Sequence, residues 1–153
     1  MNLSEQQKEI VTTDASHVVV IASAASGKTA VLVERVRHLL NNGADPRKVV
    51  MITFTNAAAE EMAERLGRPK GMFIGTIHAY ANYLLLSNGN ETQDLLENEQ
   101  FDKLFKRIKQ NPDCIRPVEH LLFDESQDSN ETHFEFLLDL VQPENYLIVG
   151  DYK

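Results

Sequence analysis

The sequence predicts an α/β fold in which a parallel sheet is flanked by helices, and three observations carry that prediction. Short apolar runs alternate with helix-length segments along the 153 residues, which is the pattern of βαβ units. The apolar run His17-Val-Val-Val-Ile21 feeds straight into a small-residue loop, Ala-Ser-Ala-Ala-Ser-Gly-Lys-Thr, at residues 22–29. Finally, Leu121-Leu-Phe-Asp-Glu125 is an apolar strand that closes on two adjacent carboxylates.

Taken in chain order, the first element is a short helix over Ser4–Val11, capped by Ser4. The strand His17–Ile21 follows, read as buried because every residue after His17 is β-branched and apolar. A helix runs from Lys28 to about Leu40 and ends at Asn41-Asn42-Gly43, with Gly43 as a left-handed cap. Next come a strand at Lys48–Thr53, a helix from about Ala57 to Leu66 before Gly67, and a strand at Met72–Gly75. Residues 81–120 change in character: helical turns fit Ala81–Leu86 and about Gln93–Lys109, separated by Ser87-Asn88-Gly89-Asn90, and Pro112 and Pro117 interrupt the return. This stretch is a helical insertion between two sheet strands. The strand His120–Phe123, a helix from about Asn130 to Leu140 closed before Pro143, and the strand Tyr146–Val149 complete the pattern.

Composition bounds the function. A chain that is 42% hydrophobic suits one domain with a sizeable core. No apolar run approaches the roughly 20 residues needed to cross a bilayer, and the N-terminus lacks the basic-then-apolar layout of a signal peptide. The single cysteine, Cys114, excludes an internal disulfide, so a cytoplasmic protein is expected. The net charge of −8 is unevenly spread: residues 1–80 have nine Lys or Arg against eight Asp or Glu, and residues 81–153 have six against fifteen. Nucleic-acid contact is therefore expected on a local surface of the first half rather than through a global basic field.

The loop after the first strand has the residues needed to hold a nucleoside triphosphate. Small residues at Ala22, Ser23, Ala24, Ala25, Ser26 and Gly27 let backbone N–H groups curl around a β-phosphate, and the following helix points its positive end at the same oxygens. Lys28 would bridge the β- and γ-phosphates while the Thr29 hydroxyl takes a place on Mg²⁺. The general pattern has a glycine where Ala22 stands. At the end of the fourth strand, successive side chains point in different directions, so Asp124 can serve Mg²⁺ while Glu125 activates the attacking water.

Taken together, these and four further motifs resemble the UvrD/Rep-like family of superfamily 1 DNA helicases, from Leu3 to the last residue. Leu3-Ser-Glu-Gln-Gln7 is similar to the family's Q motif, which places Gln7 where a carboxamide reads the adenine N6/N7 edge of ATP. Thr53-Phe-Thr-Asn-Ala-Ala-Ala-Glu-Glu-Met62 and Gly75-Thr-Ile-His-Ala-Tyr80 resemble segments that face single-stranded DNA in relatives. The resemblance therefore implies DNA-contacting roles for Phe54, Thr55, Asn56, Thr76 and His78. Asp124-Glu-Ser-Gln-Asp-Ser-Asn130 resembles motif II, with Gln127 at the position that links nucleotide state to the DNA side. Leu147-Ile-Val-Gly-Asp151 resembles the opening of motif III and adds Asp151 to the nucleotide-binding set.

There are departures from the family pattern: Ser23 and Ala25 replace glycines, Ala30 an arginine, Ala57 a basic residue and Ser126 an aromatic one. The run Lys28-Thr-Ala-Val-Leu-Val-Glu-Arg35 resembles the helicase subunits of recombination helicase-nucleases. The resemblance implies a RecA-like P-loop domain over residues 1–153, with a short helical insertion at about 81–119, that binds ATP and Mg²⁺. It would be the first of two motor domains that hydrolyse ATP and act on single-stranded DNA. The second motor domain is expected to be absent from this chain, which then turns over little ATP alone and holds DNA weakly. The rival expectations are a non-catalytic nucleotide- or DNA-binding module and a small-molecule P-loop kinase.

Overall fold

The computed structural model describes residues 3–21, 27–97, 102–124 and 129–150. Five strands, β1 (His17–Ile21), β2 (Val49–Thr53), β3 (Phe73–Thr76), β4 (His120–Phe123) and β5 (Asn145–Gly150), form one sheet in the order β1-β5-β4-β2-β3. Every pairing is parallel, with Ile21 beside Gly150, Phe123 between Ile148 and Ile52, and Thr53 beside Thr76. All five C-terminal strand ends therefore lie along one edge of the sheet, the edge where open parallel sheets bind ligands.

Helices cover both faces, as the connections of a parallel sheet require. On one side α2 (Lys28–Asn41) and α3 (Asn56–Arg65) bury Leu32, Val36, Leu39 and Met62 against Val49, Met51, Leu122, Leu147 and Val149. On the other side α4 (Ile77–Ser87), α6 (Asp102–Gln110) and the helix after β4 pack on Val50, Ile52, Leu121, Phe123 and Ile148. The alternation of strand side chains divides Val49 and Met51 from Val50 and Ile52, so β2 is buried along its whole length.

Local chemistry sets the ends of the elements. Helix α1 (Glu5–Thr12) starts at a capping box: the Ser4 hydroxyl accepts from the Gln7 N–H at 3.1 Å, and the Ser4 N–H donates to Gln7 Oε1 at 2.8 Å. Gly43, at φ +93°, follows α2 as the expected left-handed cap. Asp45 caps a 3₁₀ turn, Pro46–Lys48, which takes Lys48 out of the expected strand and moves the start of β2 to Val49. The helical insertion is built from the end of α4, α5 (Gln93–Glu97), α6 and the 3₁₀ turn Pro112–Cys114.

Three expectations are revised. The helix expected at Ala81 starts four residues earlier, at Ile77, because the Thr76 hydroxyl accepts from the Ala79 N–H and caps it. The helix expected from Asn130 to Leu140 begins as α7 (Glu131–Phe134) and continues as a π-helical turn, Glu135–Leu140. The apolar run of β1 is not buried throughout. It is an edge strand packed on one face only, which leaves Val19 59% and Ile21 68% exposed among the described residues.

Candidate nucleotide site and the loop edge of the sheet

Gly27 is the N-cap of α2 and lies at φ +78°, ψ 31°, a left-handed conformation open to glycine and costly for other residues. A Cβ placed on Gly27 would stand 3.4 Å from Nε2 of Gln7, so the amide of α1 lies directly over the start of α2. A cavity of about 310 Å³ opens at this point, lined by Ser4, Gln7, Ile10, Ile21, Lys28 and Val149 among others. Its walls combine apolar side chains with the Ser4 hydroxyl, the carboxamides of Gln6 and Gln7 and the Lys28 ammonium, a mixture suited to a flat heteroaromatic base and an anion. Oε1 of Gln7 accepts the Ser4 N–H at 2.8 Å.

Lys28 is the first residue of α2 and is only 7% exposed, whereas Thr29, beside it, is half-buried. Asp124 follows β4 and is 3% exposed, and its N–H donates to the Ile52 carbonyl at 2.9 Å, which extends the ladder one residue past the strand. Since β5 lies between β1 and β4, Asp124 stands two strand spacings, about 10 Å, from the end of β1. Of the remaining nucleotide-site expectations, Ala22, Ser23, Ala24, Ala25, Ser26, Glu125, Gln127 and Asp151 lie outside the described residues.

The segments expected to meet DNA lie at the same edge, across β2 and β3. The turn after β2 is tied by buried Thr53, whose hydroxyl donates to the Thr55 carbonyl at 3.0 Å and accepts the Thr55 N–H at 3.3 Å. Phe54 is thereby turned outward, 45% exposed. Thr55 caps α3 by accepting the Ala58 N–H at 3.1 Å, as Thr76 caps α4. Both hydroxyls act as acceptors within the fold, and among the described residues neither donates its O–H. Because Thr53 pairs with Thr76, the N-termini of α3 and α4 lie side by side, with Asn56 and Ile77 opening the two helices.

His78 differs from its neighbours in this set. Its ring stacks on Phe105 of α6 at 5.6 Å and meets His133 of α7 edge-on at 5.7 Å. Burial holds its imidazole below the ordinary histidine range, helped by His133 and opposed by Asp102. Sequence reasoning missed Thr53, Asp102, Phe105 and His133. The His133 signal was hidden because it completes the Asn130 capping box at the position where the usual pattern has Glu or Gln.

Comparison with known proteins gives the family of the chain. The UvrD/REP helicase N-terminal domain family matches residues 3–113. DNA helicase II of Salmonella typhimurium is 38% identical over 118 residues, which cover 70% of this chain and 16% of that protein. An ATP-dependent helicase/nuclease subunit of Clostridium acetobutylicum is 34% identical over 142 residues, covering 69% of this chain and 11% of its own length. The chain thus spans about a sixth or less of the length of these relatives. Among solved structures, the Pif1 helicase of Candida albicans superimposes with a TM-score of 0.60 over 99% of this chain and 33% of its own, at 20% identity, a likeness of fold. No helix among the described residues is long and apolar enough to cross a membrane.

Proposed function

Because the chain belongs to the UvrD/REP helicase family, we propose that it is the ATP-binding motor domain of a DNA helicase or translocase that acts on single-stranded DNA. Residues 1–153 form one RecA-like domain, with the helical insertion at about 81–119, and a second motor domain completes the ATPase. The observation that carries this reading is the cavity lined by Gln7 and Lys28, with Gly27 next to the Gln7 amide.

Each residue then has a chemical task. Gln7 offers a donor and an acceptor to the adenine edge. The backbone of Ala22 to Gly27 cradles the phosphates, and the Lys28 ammonium neutralises charge between the β- and γ-phosphates. Thr29 and Asp124 supply hard oxygen donors at one edge of the sheet, the donor type Mg²⁺ selects. Bound there with ATP, Mg²⁺ would offset charge on the β- and γ-oxygens. Glu125 accepts a proton from the attacking water, Asp151 joins the nucleotide-binding set, and Gln127 relays occupancy to the DNA side. Phe54 offers a stacking face to a base, and Thr55, Asn56, Thr76 and His78 offer polar groups to phosphate or sugar oxygens.

Nucleotide titration tests the reading. A fluorescent ATP analogue should bind in the presence of Mg²⁺ and be displaced more readily by ATP than by GTP, and Gln7→Ala should narrow that preference. Equal displacement by ATP and GTP in both proteins would remove Gln7 from the base site. Phosphate release with and without single-stranded DNA separates a motor domain from a non-catalytic binding module.

A further inference from the structure

Away from the nucleotide cavity, the described residues bring together one group of metal-ligating side chains. His78 in the first turn of α4, Asp102 at the start of α6 and His133 in α7 each offer a ligand atom, and the three atoms lie within 4.8 Å of one another. We propose that His78, Asp102 and His133 form a binding site for a borderline divalent transition metal of the zinc class, which ties the helical insertion to the motor core.

The arrangement is organised before any ion arrives. Phe105, buried on α6, stacks on His78 and meets His133 edge-on at 5.9 Å, while the two imidazoles meet edge-on at 5.7 Å. The aromatic floor restricts rotation of both rings. Nε2 of His78 is 4.0 Å from Oδ1 of Asp102, whose side chain is mostly exposed and can swing inward. Tetrahedral ligand contacts are about 3.3 Å, the edge set by Zn–N and Zn–O bonds near 2.0–2.1 Å, so atoms that already lie within 4.8 Å of one another must close by at most about 1.5 Å. Two nitrogens and one carboxylate leave a fourth position open to water, and imidazole donors select Zn²⁺ over Mg²⁺. Burial keeps both histidines neutral at neutral pH, the form that ligates.

Two features oppose the ion and shape the test. The start of α4 presents a positive dipole end, so the Asp102 carboxylate is needed to make the site attractive to a cation. Nδ1 of His133 also accepts the Asn130 N–H at 3.3 Å. A metal on Nδ1 displaces that donor directly. A metal on Nε2 sends the ring proton to Nδ1 with the same result. Metal occupancy and this half of the α7 cap therefore compete, while the bond from the His133 N–H to Asn130 Oδ1 at 3.0 Å remains.

The site shares His78 with the proposed DNA surface but no residue with the nucleotide cavity, so it can be tested without DNA and with the nucleotide site saturated. In excess Mg²⁺, calorimetric titration of the full chain with Zn²⁺ should show one equivalent bound, and Co²⁺ should give the visible absorption of a nitrogen-ligated low-coordinate ion. His133→Gln removes the imidazole but keeps a side chain suited to the capping box, and Asp102→Asn removes the charge while keeping shape. Each should weaken Zn²⁺ binding roughly tenfold or more and abolish the Co²⁺ band, with circular dichroism and the Mg-ATP thermal shift unchanged. Absence of one-equivalent uptake by the unmodified chain, or Zn²⁺ binding by His133→Gln at unmodified affinity, would overturn the proposal.

Discussion

Nε2 of Gln7 lies 3.4 Å from the point a Cβ on Gly27 would occupy, so the residue that completes the cap of α1 also roofs the start of α2. The contact itself is ordinary van der Waals distance, and the larger constraint is the backbone at φ +78°. Gly27→Ala should therefore lower stability by about 1–2 kcal/mol, the cost of holding a non-glycine residue left-handed. It should also weaken ATP binding, because relief of that strain moves the first N–H groups of α2 away from phosphate. Urea denaturation and nucleotide titration on the same variant check both effects, and wild-type ATP affinity would separate Gly27 from the phosphate site.

Lys28 is buried yet lines the cavity, so its removal should act on the ligand far more than on the fold. Lys28→Met keeps the stem and removes the charge, and we expect the rise in melting temperature produced by Mg-ATP to disappear. Stability without nucleotide should stay within about 1.5 kcal/mol, the limit for volume-conserving changes. A ligand-induced rise equal to that of the unmodified chain would refute the assignment.

The two carboxylates after β4 should separate in a magnesium titration. Glu125→Gln should keep ATP binding and remove hydrolysis, since an amide preserves shape but cannot accept the proton. Asp124→Ala should instead raise the Mg²⁺ concentration needed for tight ATP binding. Identical behaviour of the two variants would erase the division of roles.

The legibility of this chain follows from which signals are local. A parallel sheet needs only the βαβ alternation, so it was readable from His17 to Val149, whereas the order β1-β5-β4-β2-β3 depends on tertiary packing. The Ser4 and Gly43 caps were equally plain because each is fixed by its own side chain or φ angle. What escaped was tertiary. Nothing in the run His17–Ile21 distinguishes an edge strand from a central one, and burial of Val19 or Ile21 depends on what covers the second face. Thr76 reads as part of a ligand motif, and only the Ala79 N–H behind it reveals a helix cap. His78, Asp102 and His133 are separated by 24 and 31 positions in sequence, so their meeting depends on how α6 folds back over α4. The acidic tally of the second half also hid a local feature: Lys103, Lys106, Arg107 and Lys109 all lie on α6, where Arg107 and Lys109 are drawn into pairs with Asp94 and Glu135.

Phe54 is exposed at the loop edge while its neighbour Thr53 is fully buried, so the two positions should respond oppositely to truncation. Phe54→Ala should change stability by no more than about 0.5 kcal/mol, as exposed substitutions do, and weaken single-stranded DNA binding by about 1–3 kcal/mol if one base stacks on it. Thr53→Val should leave DNA stacking intact but destabilise the turn through loss of the Thr55 hydrogen bonds. Fluorescence anisotropy over a salt series reads both, and DNA affinity unchanged by Phe54→Ala would move the stacking site elsewhere.

Acid should weaken the fold first through its histidines. Burial lowers the imidazole pKa of His78, His120 and His133 below the ordinary value, opposed by Asp102 for the first and third and by Glu119 for the second. A group whose folded pKa is depressed gives stability that is fully present above the unfolded value, about 6.5 for histidine. That stability is lost as the pH falls through 6.5 toward the lower folded values, because the unfolded chain takes up protons more readily. Exposed Asp45, Glu60 and Asp94 are depressed by their arginine partners and titrate in a separate, more acidic window. His133→Gln removes one of the three protons and also relieves His78 of a neighbouring positive charge, so the slope of unfolding free energy against pH between about 7 and 5 should become shallower. Denaturant melts across that range in the unmodified chain and in His133→Gln provide the comparison, and superimposable slopes would show that the proton uptake lies with other groups.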